Sequence, residues 1–162
     1  MEFIRTNEAH IPTLCDIFNY YISGTTSTFY TIELTIEQFY KMLIFENSKY
    51  ASFSIFENSE LIGFVSLTQH KARQAYDLTG EVSVYLNQSF TGKDIGSKAL
   101  EFIEKYATTN EFHVLVATIC GENERSIRLF QKNSYLKCSH FKEVGRKFDR
   151  FIDVISLQKV LK

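Results

Sequence analysis

Apolar residues recur at Ile11, Leu14, Cys15, Phe18, Tyr21 and Ile22, the spacing of one face of a helix. Pro12 falls in the first turn of that helix, where a missing N–H does little harm. Ahead of it, Phe3-Ile4-Arg5 predicts a short strand, and Thr6 or Asn7 can cap the helix. Thr35-Ile36-Glu37-Gln38 has the form of a capping box and predicts a second helix running to about Ile44. From Tyr50 the period changes to two: Ala51, Phe53 and Ile55 alternate with Ser52 and Ser54. Glu57-Asn58-Ser59-Glu60 supplies a turn, and Leu61 to Leu67 returns as the hairpin partner. A further strand spans Glu81 to Leu86, and the next helix carries Ile95, Ala99, Phe102, Ile103 and Tyr106 on one face. His113 to Ile119 is a nearly continuous apolar run, the pattern of a parallel strand covered on both faces. Asn123–Gln131 reads as a short helix, and Tyr135–Phe141 with Phe148–Leu157 as two closing strands. The order β-α-α-β-β-β-α-β-α-β-β predicts an α/β domain with a mixed sheet.

A length of 162 residues fits one core, so a single domain over 1–162 is expected. With 44% hydrophobic and 23% charged residues the chain is globular and not disordered. A formal net charge of −1 without a basic stripe argues against a dedicated nucleic-acid binder. No apolar run reaches the ~18 residues of a membrane span. The first residues, Met1-Glu2-Phe3-Ile4-Arg5, lack the basic and apolar regions of a signal peptide. Cys15, Cys120 and Cys138 form no CxxC pair, which fits a reducing cytoplasm. Cys120 reads as a small buried hydrophobe. His10, His70, His113 and His140 fall on separate elements without ligand spacing, so no metal is expected and each reads as a satisfied or exposed side chain.

The chemistry concentrates after Leu86. Asn87-Gln-Ser-Phe-Thr91-Gly92-Lys93-Asp94-Ile95-Gly96-Ser97 is a short loop with two glycines entering a helix. Orphaned N–H groups and the helix dipole suit a diphosphate there, and Gly92 and Gly96 would allow close approach. On its own, such spacing at a helix entry more often serves simple helix packing. A Walker A loop is excluded because no G-K-[ST] is present at the required spacing, and the third glycine of a dinucleotide fingerprint is missing.

This strand–turn–helix–strand resembles the acyl-coenzyme A signature of the GNAT acetyltransferases. Lys71-Ala-Arg-Gln-Ala-Tyr-Asp-Leu-Thr-Gly-Glu81-Val-Ser-Val-Tyr85 is similar to the K-A-R-x-A-Y-D-x-T-x-E-x-x-V-Y stretch of phosphinothricin N-acetyltransferases. Asn19-Tyr-Tyr-Ile22, Thr25-Thr26 and Glu143–Phe148 with Ile152-Asp153-Val154 extend the likeness from about Ile4 to Leu157. The resemblance implies a single-domain GNAT fold, a mixed and mostly antiparallel sheet with a parallel central pair, flanked by about four helices. It implies acetyl-CoA as co-substrate, a small amine acceptor of the phosphinothricin, methionine sulfoximine or sulfone type, and a homodimer.

Carried over residue by residue, Glu81 matches the carboxylate base that deprotonates the acceptor ammonium. The amides of Val84, Tyr85 and Leu86 match the pantetheine-binding strand, with an oxyanion-hole role. Gly92, Lys93, Asp94, Ile95, Gly96 and Ser97 match the pyrophosphate turn, Asn123 a coenzyme contact or helix cap, and Lys132 a phosphate contact. Arg73, Gln74, Ala75 and Tyr76 match the acceptor-binding segment, Arg73 as a fork to a carboxylate or phosphinate. Phe29 and Phe148 are pocket walls or core.

Two positions depart from the pattern. Asp94 stands where glycine is usual, and a carboxylate within ~5 Å of a diphosphate costs roughly 1–3 kcal/mol unless Lys93 or Lys98 offsets it. Phe130 stands where Tyr or His is common and has no proton to give a departing thiolate. Two rival readings stay open: an acetyltransferase for a polyamine, aminoglycoside or protein N-terminus, and a degenerate domain that binds without turnover.

Overall fold

The computed structural model describes residues 1–161. Seven strands form one sheet: β1 (Glu2–Arg5), β2 (Ala51–Glu57), β3 (Glu60–Gln69), β4 (Thr79–Leu86), β5 (Val114–Cys120), β6 (Leu136–Lys147) and β7 (Arg150–Val160). Their spatial order is β1-β2-β3-β4-β5-β7-β6. Only β4 and β5 pair in parallel; the other neighbours are antiparallel. Four α-helices cover the sheet: α1 (Ile11–Gly24), α2 (Ile36–Leu43), α3 (Ile95–Thr109) and α4 (Glu124–Lys132). The expected mixed sheet with a parallel central pair and four helices is the one observed.

Local chemistry accounts for the elements. Thr35 Oγ1 accepts from Gln38 N–H while the Gln38 side chain accepts from Thr35 N–H, the reciprocal box that starts α2. Pro12 occupies the first turn of α1. Asn58 and Ser59 take φ of 50° and 67°, the left-handed pair that closes the β2–β3 hairpin with the twist of its strands. Asn7 caps a short 3-10 turn, Glu8–His10, that precedes α1.

Several boundaries lie further out than the sequence pattern predicts. β4 begins at Thr79, two residues before Glu81, and β3 continues to Gln69. β6 runs on to Lys147, with register shifts at Lys137/Ser139 and Phe141/Gly145. Those bulges break the period-two alternation, which is why the sequence stops the strand at Phe141.

The sheet separates two cores. On one face Val65, Leu67, Val82, Leu115 and Ala117 pack against Ile95, Leu100 and Ile103 of α3. On the other, Phe64 packs with Leu14 and Phe18 of α1 and Phe39 of α2. Alternation along β4 therefore sends Val82, Val84 and Leu86 to the α3 side, and Glu81, Ser83 and Tyr85 to the α1–α2 side. Among the described residues no helix is long and apolar enough to cross a membrane.

Candidate active site

The site starts where the parallel pair fails. β4 and β5 are matched only from Thr79↔Val114 to Glu81↔Val116, and beyond Glu81 the two strands separate. Each keeps its outer neighbour: β4 stays paired with β3 through Leu86↔Gly63, and β5 with β7 through Cys120↔Val154. A wedge is left whose walls carry unpaired backbone groups, which must find partners elsewhere.

Which β4 amides face the wedge is decided by parity. Asn87 N–H donates to Ile62 O at 2.7 Å, so odd-numbered residues from 81 to 87 direct their peptide groups to β3. The even ones, Val84 and Leu86, direct theirs to the wedge. Leu86 O meets Tyr21 Oη there at 2.5 Å. The Tyr85 amide, expected beside them as a donor, is committed to β3 by the same alternation. Its side chain takes the structural part instead, with Oη donating to Ser27 O at 3.0 Å and burial pushing the phenol up to about 12.

The wedge opens into a cavity of about 410 Å³ bounded by β4, β5, the start of α3 and one face of α4. Val84, Tyr85, Leu86, Gly92, Asp94, Gly96, Ser97, Asn123 and Lys132 all line it. Two residues of the expected turn do not: Ile95 is buried in the core beneath α3, and Lys93 is turned out, its Nζ 4.9 Å from the Phe90 ring centroid. Burying the first apolar residue of α3 anchors the turn and leaves the polar residues on either side at the cavity.

Gly92 sits at φ +82°, where a side chain is strained. Gly96 acts through packing: a Cβ there would lie 2.8 Å from a Leu129 methyl, so the glycine lets α3 and α4 approach. Asp94 holds the N-cap position with φ +60° and makes no side-chain cap. Its carboxylate is met by Lys132 Nζ at 2.8 Å, and this bond, with Ser97 beside it, holds the carboxyl below its ordinary range. The main offsetting cation is therefore Lys132, with Lys98 a smaller contributor and Lys93 none. Asn123 Oδ1 accepts from Ser126 N–H at 3.2 Å, capping α4, while Nδ2 lies 3.3 Å from Ser27 Oγ. Arg125 also lines the cavity; the sequence does not single it out, because an arginine in a first helical turn carries no distinctive pattern.

A second cavity of similar size, about 410 Å³, lies on the α1–α2 side of β4. Phe18, Phe29, Tyr30, Met42 and Phe64 make most of its wall, with Ser66 and Thr68 from β3. Among the described residues Glu81 is the one charged side chain lining it. Ser83, Tyr85 and Thr118 line both cavities, so the two meet at the splayed strands, beside Glu81. The segment after α1, which lines the first cavity at Thr25 and Ser27 and the second at Thr28, is laced down. Besides Tyr85 and Asn123, buried Lys147 donates to Thr28 O at 3.0 Å, and Thr26 Oγ1 donates to Glu122 Oε1 at 2.6 Å.

Several expected residues are not at the second cavity. Arg73, Gln74, Ala75 and Tyr76 line neither space. Gln74–Tyr76 coils into a 3-10 turn beyond the end of β3, and Lys49 Nζ holds Asp77 O at 2.5 Å. Tyr76 comes nearest, its ring 6.3 Å from the His70 ring, which in turn touches Glu81. Phe148 lies in the β6–β7 turn at φ +52°, half exposed, and walls neither cavity, whereas Phe29 does line the second. Phe130 is buried edge-on against Tyr135, ring centroids 4.9 Å apart.

The chain belongs to the GNAT acetyltransferase family, whose sequence profile matches residues 15–135. It is similar to the phosphinothricin N-acetyltransferase of Streptomyces coelicolor, 28% identical over 158 residues, spanning 95% of this chain and 92% of the relative. It is also similar to the L-methionine sulfoximine/L-methionine sulfone acetyltransferase of Salmonella typhimurium, 31% identical over 102 residues, or 63% of this chain and 60% of that one. The fold is shared with a phosphinothricin acetyltransferase of Sinorhizobium meliloti solved in complex with acetyl-CoA, with a TM-score of 0.91 and 21% identity over 99% of this chain and 88% of that one. The protein is thus a GNAT N-acetyltransferase related to phosphinothricin acetyltransferases.

Proposed function

We propose that this protein acetylates the amine of a small amino-acid-like acceptor of the phosphinothricin, methionine sulfoximine or methionine sulfone type, with Glu81 as general base. The observation that carries the reading is the meeting of the two cavities at Ser83, Tyr85 and Thr118, directly beside Glu81.

The wedge-facing N–H groups of Val84 and Leu86 suit the amide-rich arm of the coenzyme. The left-handed turn at Gly92, the N–H groups at the start of α3, Ser97 and Arg125 suit its diphosphate. Acetyl-CoA, when bound, supplies the activated acetyl group as a thioester. The protein's part is to hold it, to exclude water and to ready the amine.

An α-ammonium is mostly protonated at neutral pH and has no lone pair to attack with. Glu81, as the carboxylate of an otherwise apolar cavity, attracts that ammonium and takes one proton from nitrogen, directly or through a water. The Val84 and Leu86 amides are placed to steady negative charge on a carbonyl oxygen lying in the wedge. The aromatic and thioether wall of the acceptor cavity favours an acceptor with an apolar body. We further read residues 1–162 as one catalytic domain. Three free cysteines support a reducing cytoplasm, and exposed Leu136, Val144 and Phe151 on the outer hairpin support a homodimer.

Calorimetric titration with acetyl-CoA, with turnover of phosphinothricin, methionine sulfoximine and methionine sulfone as the second step, tests the proposal. Saturation in the micromolar range with turnover of at least one acceptor is expected. Failure to bind at millimolar acetyl-CoA overturns the acetyltransferase reading, and binding without turnover of any of the three overturns the acceptor class.

A further inference from the structure

The base has a neighbour that the sequence pattern presents as an ordinary histidine. In the β3–β4 ladder Thr68 stands opposite Glu81, and His70, two residues on, returns to the same face just past the strand end. Its Nδ1 lies 3.3 Å from Glu81 Oε2. Neither side chain is lost in the core, with 21% of His70 and 29% of Glu81 exposed, so the pair needs no charge to be carried into an apolar interior.

His70 is itself held. The ring of Tyr76 packs edge-on against it at 80°, and Lys71 Nζ lies 5.0 Å above the far partner of that stack, the Tyr76 ring. The 3-10 turn Gln74–Tyr76, which lines neither cavity, thus acts on the site at one remove, by setting the histidine that meets the base. Glu81 Oε1 makes no hydrogen bond among the described residues, and Glu81 lines the acceptor cavity.

We propose that His70 is a positioning residue for the general base: its Nδ1–H donates to Glu81 Oε2, fixing the carboxylate with Oε1 free to accept the proton of the acceptor ammonium. The inference rests on Glu81 acting as base. A freely rotating glutamate presents the right lone pair only part of the time, and a single donor removes that freedom. A contact of 3.3 Å in the free enzyme is ample for this, because such bonds tighten when the partner is engaged. The proton leaves nitrogen for Oε1, while His70 keeps its own proton throughout.

The test is a cycle of His70→Ala, Glu81→Gln and the double variant, with His70→Asn as the conservative replacement. Steady-state rates are read with acetyl-CoA and whichever of phosphinothricin, methionine sulfoximine and methionine sulfone the unmodified enzyme turns over fastest. His70→Ala is expected to lower kcat about tenfold while KM for acetyl-CoA stays within about twofold. His70→Asn, whose amide can reach the Nδ1 position, is expected to restore most of the loss. In the Glu81→Gln background, His70→Ala is expected to cost nothing further, since two residues acting as a unit are not additive. A kcat for His70→Ala equal to the unmodified enzyme, or a full additional loss in the double variant, overturns the role of His70 and leaves Glu81 untouched. A Glu81→Gln enzyme with undiminished kcat, or an enzyme that turns over none of the three acceptors, overturns the underlying reading and His70 with it.

Discussion

Lys132 Nζ lies 2.8 Å from Asp94 Oδ1, joining the last turn of α4 to the N-cap of α3. The pair lines the first cavity, which we propose holds acetyl-CoA; there the carboxylate would repel a diphosphate and occupies the lysine that would otherwise attract one. Asp94 also takes a left-handed φ of 60°, a conformation that glycine adopts without cost.

Asp94→Gly therefore removes a repulsive charge, releases Lys132 and relieves the backbone together. Binding of acetyl-CoA is expected to tighten by about tenfold at low salt, and by less at high salt, where screening already weakens the repulsion. Calorimetric Kd values at two ionic strengths check this. Lys132→Ala is expected to weaken binding, and to weaken it less when Asp94 is already glycine.

Gly63 faces Leu86 across the β3–β4 ladder, and a Cβ on it would meet the Tyr85 carbonyl oxygen and lie 2.9 Å from the Leu86 Cα. Those atoms are backbone and have nowhere to yield. Gly63→Ala is expected to cost about 3 kcal/mol, read as a fall in the urea midpoint. Because β4 must shift at Tyr85 and Leu86, acetyl-CoA affinity should fall as well. Gly96→Ala presses only on the flexible end of Leu129 and should cost less.

Much of this arrangement is legible from residue order, and the reasons differ by element. The Thr35 capping box, the Pro12 helix start and the Asn58-Ser59 turn are local, fixed by residues a few positions apart, and each forms as predicted. The apolar run from His113 marks β5 because a strand covered on both faces leaves no room for polar residues. The glycine-bearing turn locates the first cavity for a similar reason. The second cavity is harder to see. Phe29, Met42 and Phe64 come from a loop, a helix and a strand, and nothing in their spacing distinguishes a wall from a core. The His70–Glu81 contact is invisible in sequence, since it depends on the ladder register between residues eleven positions apart. The Arg73–Tyr76 segment poses the opposite difficulty: its likeness to the phosphinothricin acetyltransferases is local, while its place beyond both cavities depends on how the chain leaves β3.

Arg150 grips Glu122 with both terminal nitrogens, at 2.7 and 2.5 Å, and Thr26 adds a third bond to the same carboxylate. These bonds hold the Glu122 carboxyl at about 2, well below its ordinary value of 4.5, with Arg150 the larger cause. A depressed carboxylate contributes stability above its unfolded value and loses it as pH falls through its folded one. Because the group is largely solvated, Glu122→Gln should lower Tm at pH 7 by no more than about 2 °C. The gap should close as pH falls from 4.5 towards 2, a trend that thermal melts at a series of pH values will show.

The most direct test of Glu81 as the base is Glu81→Gln, measured for rate and for coenzyme binding in the same preparation. The substitution keeps the shape and hydrogen-bonding reach of the side chain and removes its capacity to take a proton. The expected result is a kcat lower by about a hundredfold or more, with acetyl-CoA affinity unchanged. A Glu81→Gln enzyme that binds acetyl-CoA and acetylates at the unmodified rate would contradict that role.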